Sequence, residues 1–199
     1  MIRVVRGYDL TQFSGCAMFE DRRRVFVDRM RWDVPVVDRR FEIDQYDGPD
    51  ALYIVESVAD GGHLGSLRLL ATTGPHILGN LFFGLVDGPV PVGADVHEIT
   101  RLCVSPDLDR DARLACRNRL ISAMVDHALA SGITLLTGVV RPAFRDAILE
   151  MGWPGRALGP SRVVGGMALG AFAVTIAADT PARLAATGIY SPASAAKCS

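Results

Sequence analysis

Long apolar runs, clustered cysteines and an excess of either charge are all missing from this sequence, and each absence removes a class of function. The longest apolar stretch, residues 163–178, is interrupted by Gly165, Gly166 and Gly170. It reads as a hairpin of core strands rather than a membrane span. The opening MIRVVRGYDL brings charge too early for a secretory leader. Cys16, Cys103, Cys116 and Cys198 stand apart with no CxxC or Cys/His spacing, which predicts reduced thiols and no metal site. A formal net charge of −1 gives no basic field for nucleic acid or anionic lipid. What remains is a cytoplasmic chain with no nucleic-acid or membrane partner, long enough at 199 residues for one domain with a sizeable core.

Periodicity and turn residues then order the chain. Residues 1–5 read as an edge strand and 10–30 as a helix, with Asp9 or Thr11 near its start. Residues 32–50, with Pro35, Asp38, Gly48 and Pro49, form a long connection of the kind that is usually functional. Two β-rich runs, 51–59 and 63–73, flank the hairpin signal Asp60-Gly61-Gly62. A short helix over 76–86 and a strand over 96–104 follow. Residues 110–131 carry an apolar stripe at helical spacing, ended by Gly132. A buried strand (133–140), a helix (142–151), the last strands (161–178), a short helix (181–186) and a mobile tail from about 189 complete the order. It predicts an α/β fold, a three-layer α/β/α sandwich on a mixed sheet.

Charge is present, and its placement is the most informative feature. Arg22, Asp44, Asp47, Arg68, Glu98 and Arg101 are threaded through apolar sequence such as FEIDQYD, GSLRLLATTGP and HEITRLCV. Buried charges are costly unless they meet each other, so the fold is expected to gather three carboxylates and three guanidinium groups around one cleft. A purely structural role, pinning the long loop to the sheet, competes with a functional one, most strongly for Asp44 and Arg22. In a regular strand Glu98 and Thr100 share a face while Arg101 points away. Both ends reach one cleft only if the strand bulges between them.

Taken in order, R-x-x-x-F, W and E-x-D-x-x-D at Arg22, Phe26, Trp32, Glu42, Asp44 and Asp47, then Arg68-Leu69-Leu70, Phe82, and Glu98-Ile99-Thr100-Arg101, make a specific signal. The chain resembles the LuxI-type acyl-homoserine lactone synthases over residues 22–152. The resemblance implies a fold similar to the GCN5-related N-acetyltransferases. It also implies two substrates, S-adenosylmethionine and an acyl thioester on acyl-carrier protein or coenzyme A, with no cofactor. The amine is acylated; the substrate carboxylate then closes the lactone and expels methylthioadenosine.

Those substrates give the residues roles. A sulfonium, an ammonium and a carboxylate need both signs of charge, so Asp44, Asp47 and Glu98 can face the cations while Arg22, Arg68 or Arg101 holds the carboxylate. Glu98 is the candidate base, because an ammonium has no lone pair. A backbone N–H freed at the bulge, that of Leu102, could hold the thioester oxyanion. Phe26, Trp32 and Phe82 could wall the adenosylmethionine pocket. Met124, Leu136, Val139, Phe144, Ile148, Leu149 and Met167 are candidates for the acyl tunnel, though each suits ordinary core equally. In the family a hydroxyl residue near Gly138 accompanies 3-oxo substrates, so Gly138 implies an acyl chain without a 3-oxo group unless the neighbouring Thr137 takes that position. Arg141, Arg145, Arg156 and Arg162 could meet an acidic carrier protein, or simply be solvated. His63, His76, His97 and His127 show no metal spacing, and His97 should face away from Glu98.

Two rival readings share this fold. A coenzyme-A-dependent N-acetyltransferase would use a Gly-rich turn for the pyrophosphate, but SPDLDRDARLA after Val104 has no glycine and three aspartates. A binding module without activity would be expected to have lost some of the six charges.

Overall fold

The computed structural model describes residues 1–7 and 13–191. In chain order they form β1 (Ile2–Arg6), α1 (Phe13–Arg22) with a π-helical continuation over Arg23–Arg29, β2 (Val36–Val37), β3 (Phe41–Glu42), β4 (Leu52–Ser57) and β5 (His63–Ala71). Next come α2 (Ile77–Leu81) with a single tighter turn over Phe83–Leu85, β6 (Val96–Val104), α3 (Arg110–Ala130), β7 (Leu135–Val140) and α4 (Pro142–Leu149). The chain continues through β8 (Gly155–Ala157), β9 (Arg162–Val164), β10 (Met167–Thr175) and α5 (Thr180–Ala186). Asp9 and Thr11, and the tail beyond residue 191, lie outside the described residues.

Local chemistry sets these limits. The Asp109 carboxylate accepts from the Ala112 N–H at 2.8 Å and caps α3, and Gly132, at φ +70°, turns the chain out of its far end. Pro142 begins α4, where its missing N–H costs nothing. Asp60 accepts from the Gly62 N–H at 3.2 Å, while Gly61 takes φ +90°, closing the β4–β5 hairpin.

The sheet order is β1-β4-β5-β6-β7-β10-β8, with β9 on β10. All neighbours are antiparallel except β6 and β7. On one face α3 packs Cys116, Leu120 and Met124 against Ile54, Leu67, Leu69, Leu136 and Phe172, with Ile148 of α4 and Leu184 of α5 in the same core. On the other, α1 sets Met18 and Phe19 against Tyr53 and Leu70. The alternation of β5 explains this division: Leu67 and Leu69 face α3, and Leu70 faces α1. The result is the three-layer α/β/α sandwich expected. No helix among the described residues is long and apolar enough to cross a membrane.

Three local features differ from the expected outline. The helix after Arg22 widens into π-helical winding, a form that recurs at functional sites; Trp32 N–H ends it by donating to the Phe26 carbonyl at 2.9 Å. The long connection contains the small β2–β3 hairpin, with Asp38 and Arg39 at φ +51° and +56°. And β8, an exposed edge strand on β10, carries no apolar alternation that could have announced it.

Candidate active site

The connection from β3 to β4 tucks its charges under the sheet. Glu42, Asp44 and Asp47 are all buried, as are Arg22 and Arg68. Arg22 donates from Nε to Glu42 at 2.6 Å and from both terminal nitrogens to Asp47 at 2.8 Å. Arg68 grips Asp44 with two bonds of 2.7 and 3.0 Å and donates from Nε to Thr100 Oγ1 at 2.9 Å. Arg101 reaches Glu42 at 2.9 Å and Asp44 at 2.7 Å. Tyr53 adds an O–H bond to Asp47 at 2.6 Å.

This network is charge-neutral, and each guanidinium is matched by bidentate geometry, the condition under which buried ions are tolerable. Burial alone would raise the Asp47 pKa, but the Arg22 and Arg68 charges overcome it and hold the carboxyl well below its ordinary range. Burial works against the Arg22 and Arg68 cations, yet their carboxylate partners raise both. The Tyr53 hydroxyl is pushed up by burial and by Asp47. Pinning the loop is therefore what Arg22, Arg68, Asp44 and Asp47 visibly do.

Glu98 stands outside that network; the third carboxylate of the cluster is Glu42. Glu98 is fully buried and accepts from the backbone N–H groups of Ile77 (2.7 Å) and Leu78 (2.9 Å) at the start of α2. Burial outweighs these two bonds and the nearby Arg68 and Arg101, so its pKa is pushed up to about 7. Glu98 is thus the one carboxylate here poised to exchange a proton near neutrality.

The bulge required for Glu98 and Arg101 to serve one cleft exists. The β5–β6 register shifts between Ser66↔Cys103 and Arg68↔Thr100, and Arg101 sits at φ +52°. Pairing of β6 with β7 ends at Glu98↔Thr137, after which Gly138–Val140 pair only with β10. The two parallel strands part there. A cavity of 660 Å³ lies on the α3 side, lined by Leu102, Val104, Leu108 and Phe144 together with arginines of α3.

Phe26 and Trp32 stack at 4.9 Å and 11°, and the Arg101 guanidinium lies 5.5 Å from the Phe26 ring and 6.0 Å from that of Trp32. The Trp32 Nε1–H is buried with no partner among the described residues. Phe82 is half-buried between the core under α1 and that around Leu78 and Leu85. Met124, Leu136 and Ile148 sit in the closed core with Phe172, so among the acyl-chain candidates Phe144 alone lines the cavity. A Cβ added at Gly138 would stand 2.8 Å from the Phe172 ring.

Of the more distant candidates, Arg141, Arg156 and Arg162 are exposed, and Arg145 reaches Asp146 and the Gly159 carbonyl. His97 feels His127 of α3, which puts it on the face opposite Glu98, as alternation requires. Sequence reasoning named Glu42 in the family motif without giving it a role, and left out Tyr53 and the Ile77 and Leu78 amides. Glu42 was signalled by its alternation with Asp44 in FEIDQYD. A buried line of Asp21, His63 and Ser66, with contacts of 2.8 and 3.0 Å, had no such signal; its burial makes it part of the packing between α1 and β5.

Known proteins similar to this chain give the site a context. The autoinducer synthase family model matches residues 10–183. An acyl-homoserine-lactone synthase of Ralstonia nicotianae is 32% identical over 187 residues, covering 92% of each chain. The structure of TofI in a ternary complex with an inhibitor and MTA superposes with a TM-score of 0.78 at 27% identity, covering 93% of this chain and 96% of that one. An acyl-CoA N-acyltransferase from Pseudomonas aeruginosa, 16% identical with a TM-score of 0.60 over 87% of this chain and 98% of its own, shares the fold.

Proposed function

The chain belongs to the autoinducer synthase family, and from that premise we propose how its residues divide the work. It is an acyltransferase, an acyl-homoserine-lactone synthase that makes a quorum-sensing signal from S-adenosylmethionine and an acyl thioester. The observation that carries the assignment of roles is Glu98, buried where β6 and β7 part and with its pKa pushed up to about 7. A carboxyl with that pKa can take the proton of the methionine amine at neutral pH and pass it on.

Chemistry proceeds in two steps. The amine nitrogen bonds to the thioester carbon, its proton leaves to Glu98, and the C–S bond breaks to release the thiol. The Leu102 N–H, in the bulge beside the parted strands, is placed by this reading to stabilise the oxyanion. The substrate carboxylate then attacks its own γ-carbon, and the sulfonium C–S bond breaks to release methylthioadenosine. Arg101 is the guanidinium assigned to that carboxylate, since its side chain is the most open of the three in the cluster, at 10% exposure. The free Trp32 Nε1–H is a second donor. The Phe26–Trp32 stack and Phe82 wall the sulfonium.

Arg22, Asp44, Asp47, Arg68 and Thr100 act by holding the loop that carries Glu42 beneath Arg101. The donor is a pantetheine thioester, carried by acyl-carrier protein or by coenzyme A. The test is methylthioadenosine release from S-adenosylmethionine with a panel of acyl donors, with mass spectrometry of the lactone formed. Thiol release from the donor without methylthioadenosine would indicate a plain N-acyltransferase instead.

A further inference from the structure

A helix as short as α2, five residues, has little stability of its own, yet it presents the two N–H groups on which Glu98 rests. Burial of Ile77 and Leu78 holds it against the sheet, but apolar burial is non-directional and does not aim an N–H group. The segment His76-Ile77-Leu78-Gly79-Asn80 supplies the aim. Asn80 reaches back along the helix, and its Oδ1 accepts from the His76 N–H at 2.9 Å. The His76 Nδ1–H donates to the Gly74 carbonyl at 2.9 Å, since a carbonyl can only accept. The ring lies on Gly79, where a Cβ would stand 2.6 Å from its Cε1 and Nε2.

All three contacts act on His76, the residue that caps α2. With its backbone and ring both tied, the next two N–H groups leave the turn side by side. That of Ile77 meets Glu98 Oε2 at 2.7 Å, and that of Leu78 meets Oε1 at 2.9 Å. Each carboxyl oxygen has one donor, which fixes the plane of the group. Arg68 of β5 and Arg101 of β6 act on Glu98 through their fields, and Tyr46, in the loop after β3, feels its charge in turn. Thr137 of β7 lies beside it in register, and His76 is the titratable group on α2.

Resting on the reading of Glu98 as the base, we propose that Asn80 is a positioning residue for the reaction: by tying the His76 N–H it sets the first turn of α2, so that the Ile77 and Leu78 N–H groups hold both Glu98 oxygens in one orientation where β6 and β7 part. The clamp also opposes burial. Two N–H donors favour the carboxylate and burial favours the neutral acid; a pKa of about 7 is where the two meet. Asn80 itself is exposed and bonds to the helix start, so its loss acts on Glu98 through the two amides.

The titration midpoint of the Glu98 carboxyl, read by carboxyl-carbon NMR of glutamate-labelled protein without substrate, tests this. The chain has five glutamates, and the signal missing in Glu98→Gln identifies the right one. Asn80→Ala frees the His76 N–H and lets the Ile77 and Leu78 N–H groups swing away. The midpoint should then rise from about 7 to about 8, the order expected when hydrogen bonds to a buried charge weaken. Asn80→Asp keeps the acceptor oxygen. In about 0.5 M salt, where an exposed charge is screened, it should restore the midpoint of wild type measured at the same salt. His76 is retained in every protein compared.

A midpoint that Asn80→Ala leaves in place or lowers would overturn the proposal, as would one that Asn80→Asp fails to restore. The pH–rate profile of methylthioadenosine release separates this outcome from the assignment of the base. The rising limb of that profile should move with the midpoint, to higher pH in Asn80→Ala and back in Asn80→Asp. If the midpoint moves and the limb stays where wild type has it, Glu98 is not the base and the clamp stands. If the limb disappears in Glu98→Gln while Asn80→Ala leaves the midpoint in place, Glu98 is the base and the clamp falls.

Discussion

At Glu98 burial and two backbone N–H donors pull in opposite directions, and burial prevails. A carboxyl tuned this way gives a pH–rate profile that rises through about pH 7 as the base form appears. Glu98→Gln keeps the shape and can still accept from one of the two backbone N–H groups but cannot take a proton, so turnover should fall by roughly two to four decades and the limb near neutrality should vanish. Activity within a few-fold of wild type would remove Glu98 from the chemistry. The charge network responds differently. Arg22→Ala strips Asp47 of its forked partner and leaves Glu42 to Arg101 and Asp47 to Arg68 alone, and should cost about 3–5 kcal/mol in urea unfolding, whereas Arg183→Ala, which breaks an exposed pair with Asp179, should cost less than about 1 kcal/mol. Equal losses would refute the pinning role. Residue identity made most of this cluster legible, because charge inside apolar runs must find charge. The pairing was not legible: nothing in the chain order says that Arg101 takes Glu42 and Asp44, or that Glu98 takes two amides of α2.

Along β6 and β7 the site is made by departures from regular strands. The bulge at Arg101 turns a side chain that should face α3 back toward the loop carboxylates, and the end of β6–β7 pairing at Thr137 opens the gap beside Leu102. Alternation made the bulge necessary before it was seen, since Glu98 and Arg101 could not otherwise share a cleft. The β8 edge and the π-helical turn had no such arithmetic behind them, because one is fully exposed and the other leaves the apolar spacing of a helix nearly intact. Gly138 shows a limit of the same kind. Its lack of a hydroxyl was legible, and we propose a lactone product with no 3-oxo group, to be read by mass spectrometry. Its neighbour was not legible: the Phe172 ring occupies the space a side chain would need. Gly138→Thr should therefore overpack the core, at about 1–3 kcal/mol, before it confers any 3-oxo preference. Phe172→Leu in the same chain should recover part of that loss. A stable Gly138→Thr enzyme that gains 3-oxo donors would mean that the acyl chain, rather than Phe172, claims this space.

For the molecule as a whole, a nearly neutral chain conceals groups whose proton affinities have been driven apart, and their opposed signs give separate signatures in stability. Asp47 is held below its ordinary value of 3.8, so its contribution to folding is full above that pH and is lost as pH falls through the depressed pKa. Glu98 is raised from 4.5 to about 7; the folded state binds its proton more tightly than the unfolded chain, and that contribution is full below pH 4.5 and lost as pH rises through about 7. Other groups, such as His97 and His127 with lowered pKa values, shape the total curve, but they cancel when each variant is subtracted from wild type across a pH series. The Asp47→Asn difference should be large and flat at neutral pH and begin to shrink only below about pH 3.8. The Glu98→Gln difference should change between pH 4.5 and 7, with the variant gaining on wild type as pH rises, and be flat on either side. Chemical unfolding at matched ionic strength reads both curves. A Glu98→Gln difference that stays flat through that window would mean Glu98 is ionised throughout, and a carboxylate without a neutral-range pKa could not gate amine deprotonation as the rate profile requires.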